Sequence, residues 1–147
     1  MTPVQPEVPD EAGLVFPFIP GLTPNFIQHF DVKMLRGQPP FSGVPATRAV
    51  LEVSLREDAR ASEEHVIAIA DFVPPLALTH LSAPAPGSTL TWMLEMIAHD
   101  VDLPVRGWRV DVELASARDG YTSQSVMIWG PGGVPVALSR QSMLVFG

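Results

Sequence analysis

Apolar and polar side chains alternate along most of this chain, and one stretch breaks the alternation. From Phe26 to Leu35, Phe26, Phe30, Val32 and Met34 share one parity while Asp31 and Lys33 share the other, the two-residue period of a half-buried strand. Gly37 to Pro45 reads as a loop. From Ala46 to Glu57, Ala49, Leu51, Val53 and Leu55 alternate with Arg48, Glu52, Ser54 and Arg56, which predicts a second strand with Val50 as its only exception. The period then changes. Ser62 is a good N-cap, Glu63 and Glu64 favour a first helical turn, and Val66 to Val73 continue without Gly or Pro until Pro74-Pro75 forbids further helix. This helix is apolar on nearly every side after Glu64, so it is expected to be buried.

Beyond the Pro/Ala/Gly loop at Ala83 to Gly87, turn residues at Asp102 to Gly107, Asp119-Gly120 and Gly130 to Gly133 divide the chain into four more strands. In the first of them Leu90, Trp92, Leu94, Met96 and Ala98 face one way. In the second, Trp108, Val110, Val112 and Leu114 oppose Arg109, Asp111 and Glu113. Tyr121 to Trp129 and Val134 to Phe146 are expected to complete an antiparallel meander. The order of two strands, one long helix and four strands predicts an α+β fold with an antiparallel sheet wrapped around a single central helix.

Proline changes the picture at the N-terminus. Six of the 16 prolines fall at Pro3, Pro6, Pro9, Pro17, Pro20 and Pro24, alongside the acidic Glu7, Asp10 and Glu11, so residues 1–24 read as an extended tail and 25–147 as one folded domain. A chain of 147 residues with 46% hydrophobic and 17% charged side chains is too apolar for disorder and suits one core. A net charge of -7 without clustered Lys or Arg excludes a nucleic-acid partner. Lys33, Arg36, Arg48, Arg106, Arg109 and Arg140 are scattered; each is a local aid to an anionic ligand or simply solvated. Cysteine is absent, which removes disulfides, thiolate nucleophiles and cysteine metal sites. No run approaches the roughly 20 apolar residues of a membrane span, and the expected location is cytoplasmic. His29, His65, His80 and His99 have no metal-ligand spacing on any one element, and no metal is expected.

Three polar residues stand out as candidate chemistry. Asp71 lies near the C-terminal end of an apolar helix, where the helix dipole disfavours a negative charge. Such a carboxylate either has a compensating role or caps the Pro74-Pro75 turn in solvent. Thr91 has the opposite parity to Trp92 and Leu94, so its hydroxyl is off the strand's fully apolar face and is a candidate to meet Asp71. Gln141 shares a face with Ala137, Ser139, Met143 and Val145, a long amide among small or apolar neighbours.

On these residues the chain resembles the acyl-CoA thioesterase II type of the hotdog-fold thioesterases. The likeness rests on Ala70-Asp71-Phe72-Val73-Pro74, on Thr91 with His99 eight positions on, and on Gly133-Val134-Pro135-Val136-Ala137-Leu138-Ser139-Arg140-Gln141. It extends over roughly residues 24–147 and is to the second half of those enzymes. The resemblance implies hydrolysis of an acyl-CoA thioester, without metal, cofactor or covalent intermediate. In it Asp71 takes a proton from water, Thr91 hydrogen-bonds the water or the carboxylate, and Gln141 completes the orientation. Thr89, expected to face the same way as Thr91, and Ser88 would take the threonine's role if the register moved by two. Phe72, Leu76, Met93 and Met143 are candidates for an apolar acyl slot or for plain core. Members of that family usually join two hotdog halves in one chain, and this chain has one. A second copy in a homodimer or higher oligomer through the sheet, or a separate partner, is the expected complement, since a bare sheet edge invites aggregation. The competing readings are a non-catalytic acyl-CoA or lipid-binding module and an acyl-thioester hydratase.

Overall fold

The computed structural model describes residues 2–8 and 13–146; Met1, residues 9–12 and Gly147 lie outside it, and with them Pro9, Asp10 and Glu11 of the expected tail. Among the described residues seven strands form one antiparallel sheet: β1 (Leu14–Phe16), β2 (Phe30–Arg36), β3 (Arg48–Leu55), β4 (Gly87–Met96), β5 (Trp108–Arg118), β6 (Tyr121–Gly130) and β7 (Val134–Val145). One helix, α1 (Glu63–Phe72), lies between β3 and β4 in the chain. The architecture is the α+β arrangement of a single helix on an antiparallel sheet. No helix among the described residues is long and apolar enough to cross a membrane.

Local chemistry explains the element ends. At the start of α1 the Ser62 N–H donates to His65 Nδ1 at 3.0 Å, three residues on, the reciprocal half of a capping box. His65 therefore carries its proton on Nε2, which donates to Glu57 at 2.6 Å. At the other end Pro74-Pro75 forces Val73 to an extended ψ of 116° and the helix stops. The β5–β6 hairpin closes at Asp119 and Gly120, both with positive φ (52° and 81°), the paired left-handed conformation that Asp-Gly supplies to a two-residue turn.

The core lies between α1 and one face of the sheet. Val66, Ile69, Ala70 and Phe72 of α1 pack with Val32, Leu51, Val53, Val110, Val112, Val126, Ile128 and Ala137, the residues of one parity on β2, β3, β5, β6 and β7. We call this the inner face.

Four expectations need correction. Phe26 is not in a strand: Asn25–His29 forms a 3-10 turn after Pro24, with Gln28 Nε2 donating to the Asn25 carbonyl at 2.8 Å, and the strand starts at Phe30. Phe26 still packs edge-on against Phe30 and Phe72, at 6.5 and 5.9 Å between ring centroids. Residues 1–24 are not wholly a tail, because β1 within them pairs with β2 from Leu14↔Met34 to Phe16↔Val32. The last four strands are not a simple meander. The sheet order is β1-β2-β3-β5-β6-β7-β4, so β4 lies at the far edge beside β7, and the segment after it crosses back with Ile97 and Ala98 N–H both donating to the Val136 carbonyl. Finally, α1 is not buried all round: Ile67 is 45% exposed and Asp71 faces solvent with it.

Candidate functional site

A polar strip crosses the inner face at one end of the sheet. Along β7, Ala137, Ser139, Gln141 and Met143 point inward and are buried. Their partners on β6 are Ile128, Val126, Gln124 and Thr122, and on β4 Met96, Leu94, Trp92 and Thr89. An apolar row of valine and isoleucine thus gives way, within two pairs, to hydroxyls and amides.

Each of these groups has a defined partner, with one exception. Gln141 is 6% exposed and its Nε2 donates to Thr89 Oγ1 at 2.7 Å. The Trp92 indole N–H donates to Ser139 Oγ at 2.8 Å. Gln124 is fully buried; its Oε1 accepts the Leu76 N–H at 2.9 Å and its Nε2 donates to the Pro74 carbonyl at 3.3 Å. Thr122 Oγ1 is buried without a hydrogen-bond partner among the described residues.

The two threonines of β4 face opposite ways. The register shifts between Thr89, opposite Met143, and Thr91, opposite Ser142, so a β-bulge sits at Leu90. The extra residue reverses the facing. Thr89 points inward with Met143 and Gln141, whereas Thr91 points with Ser142 to the outer face and is exposed. The expectation that Thr89 and Thr91 face alike fails for this reason.

Asp71 occupies the last turn of α1, on its exposed side. No hydrogen bond joins it to Gln141, Thr89 or Thr91 among the described residues. Its link to the strip runs through the backbone to Pro74 and from there to Gln124. The four expected slot residues do not gather. Phe72 is buried against Phe30, at 5.0 Å between centroids, and Leu76 is buried in the core. Met143 is buried on the inner face, and Met93, opposite Arg140, is 53% exposed on the outer face. Among the scattered cations, Arg48 makes a bidentate pair with Asp111 (3.0 and 2.7 Å), which raises its pKa further. Arg106 joins Arg56 on Asp31.

The strip has the chemistry to hold a small polar molecule. With Nε2 spent on Thr89, Gln141 Oε1 remains an acceptor, and the Thr89 hydroxyl, which accepts that bond, still has its proton to donate. Gln124 was missed by sequence reasoning, and Thr89 entered it only as the alternative to Thr91. Gln124 carries the same signal as Gln141, an amide in the parity of Val126 and Ile128, whereas nothing in β4 alone marks the bulge.

The chain matches the family model described as the acyl-CoA thioesterase C-terminal domain over residues 5–145. No curated protein matches it significantly in sequence. Among solved structures, it is similar to a conserved protein of unknown function with a hot dog fold from Alicyclobacillus acidocaldarius. The TM-score is 0.82 at 18% identity, covering 100% of this chain and 56% of that one. It is also similar to a tesB protein of Mycobacterium avium subs paratuberculosis, with a TM-score of 0.72 at 11% identity over 100% of this chain and 55% of the other. A hypothetical thioesterase from Streptococcus pneumoniae, solved with coenzyme A, gives 0.59 at 14% identity over 79% and 89%. These likenesses show a hotdog fold. The chain spans about half the length of the first two, at 56% and 55%.

Proposed function

The chain belongs to the acyl-CoA thioesterase C-terminal domain family, and from that premise we propose that it hydrolyses the thioester of an acyl-CoA to a free acid and coenzyme A. The observation that carries the reading is the hydrogen bond from buried Gln141 to the exposed Thr89 on the inner face, a polar cradle of the kind that orients a water and that opens to solvent on the Thr89 side. In this reading Gln141 Oε1 and the Thr89 hydroxyl hold the water, with Thr89 in the role that the resemblance gives to Thr91. Asp71 is the general base. The water oxygen attacks the carbonyl carbon, its proton passes to the Asp71 carboxylate, the C–S bond breaks, and the departing thiolate takes up that proton. Met143 and the partly exposed Trp92 flank the cradle and suit an acyl chain.

A second copy completes the site in this proposal. Asp71, on the solvent side of α1, becomes confined only when another surface covers it, and β4 offers a ten-residue edge strand with Leu90, Trp92, Met93 and Ile97 of its neighbourhood exposed. The test is thiol release, followed with a chromogenic thiol reagent, from short, medium and long acyl-CoAs. Release by the native chain and its loss by at least 100-fold in Asp71→Asn are expected. Undiminished release by Asp71→Asn removes the carboxylate from the mechanism.

The separation of Asp71 from Gln141 favours one other reading, a non-catalytic acyl-CoA-binding module. It is distinguished by tight binding of a non-hydrolysable thioether analogue with no thiol release from any substrate.

A further inference from the structure

Gln124 serves the site without lying in any role assigned so far. Its side chain is fully buried, and both ends of its amide are used on the backbone that follows α1: Oε1 on the Leu76 N–H at 2.9 Å and Nε2 on the Pro74 carbonyl at 3.3 Å. The two prolines make this pairing necessary. Pro74 and Pro75 have no N–H, so Leu76 carries the first backbone donor after Val73, and it sits where water cannot reach it. A neutral amide is the side chain that can accept from one of these groups and donate to the other at once.

The same residue opposes Gln141 directly across β6 and β7. Opposed side chains in an antiparallel pair lie close together, so the two amides share one row of the sheet. Asp71 stands three residues before Pro74 on the helix that this turn ends. One side chain therefore fixes the helix end that bears the carboxylate and neighbours the amide that holds the water.

We propose that Gln124 is a positioning residue: it clamps the Pro74-Pro75-Leu76 turn to the sheet and thereby sets Asp71 relative to the Gln141–Thr89 pair. The catalytic part of this inference rests on the thioesterase reading above. Shape alone does not supply the clamp, so Gln124→Met, which fills the space without the polar ends, should release the turn. Gln124→Glu provides the control. Its carboxyl offers donor and acceptor when protonated, and loses the donor to Pro74 when it ionises.

The test measures amide hydrogen exchange at Leu76 and thiol release for the full chain and both variants, below the melting temperature of each. For Gln124→Met, exchange at Leu76 about tenfold faster or more is expected. Its kcat should be lower by roughly 10- to 100-fold with KM little changed, as for a base displaced by about an ångström. For Gln124→Glu, kcat relative to the native chain should be close to one at acidic pH and fall as pH rises through the carboxyl's titration. A folded Gln124→Met with native kcat, or a Gln124→Glu whose ratio to the native chain is flat with pH, overturns the positioning role. Absence of thiol release by the native chain removes the thioesterase reading instead, and Leu76 exchange then decides alone: unchanged exchange in Gln124→Met refutes the clamp, and faster exchange upholds it.

Discussion

Gln141 reaches Thr89 and not Thr91 because one extra residue, Leu90, sits in β4 without a partner on β7. Parity within a strand is a property of that strand's own sequence, and it correctly pairs Trp92 with Leu94 and Met96. A bulge is a property of two strands, and its signal is split between segments some fifty positions apart in the chain. Gln141 was legible for the opposite reason: it stands out against the apolar parity of its own strand, a signal that Gln124 carries equally and that went unread there. Asp71 was legible as an odd charge on an apolar helix, but its exposure depends on which side of α1 the sheet occupies. The facing of the two threonines has a direct consequence. Thr89→Val deletes the hydrogen bond to Gln141 while keeping the shape of the side chain, and a bond of about 1.4 kcal/mol corresponds to a tenfold change. We expect kcat for thiol release to fall about tenfold in Thr89→Val and to stay within about twofold in Thr91→Val. The reverse order would place Thr91 in the site and reject the bulge as its organiser.

Element order was readable from periodicity, since strands and helix differ in the spacing of apolar residues. Neighbourhood in the sheet was not. Sequential strands usually pair, but β4 pairs with neither β3 nor β5, because it lies at the far edge beside β7 and the segment after it turns back over β7 through the Val136 carbonyl. The 97–107 segment that makes this crossing is tied down by charge. Arg106 on it and Arg56 at the end of β3 both reach Asp31 on β2, at 3.3 and 2.8 Å. The Arg56 hydrogen bond, followed by the two guanidinium charges and the bond from Arg106, holds the Asp31 carboxyl below its ordinary 3.8. A depressed folded-state pKa stabilises the fold above the unfolded value, and the contribution disappears as pH falls below it. The pair is half exposed, so solvent and salt screen the effect. Thermal melts of the native chain and Asp31→Asn should therefore differ at pH 6 to 7, with the native chain slightly the more stable, and converge as pH drops through about 3.8 and below. A gap that persists undiminished to pH 2 would assign the difference to packing instead.

The whole molecule is asymmetric in how its sheet ends. One edge is β1, a strand of three residues, too short to recruit another chain. The other is β4, ten residues long, with Leu90 50%, Trp92 38% and Met93 53% exposed. An isolated edge of that length and apolarity favours strand pairing, and a second copy of the chain supplies a matching edge. Met93 is the place to break it: it lies at the edge on the outer face, away from Thr89 and Gln141, so Met93→Lys adds a charge to the edge without entering the inner strip. We expect the native chain to run as a dimer or larger species in light scattering coupled to size exclusion, and Met93→Lys to shift towards monomer. If the second copy also confines Asp71, thiol release in Met93→Lys should rise with protein concentration faster than in proportion, because only the associated fraction turns over. A native chain that is monomeric at every concentration and still releases thiol would show that one copy suffices, and the exposed edge would then need another explanation.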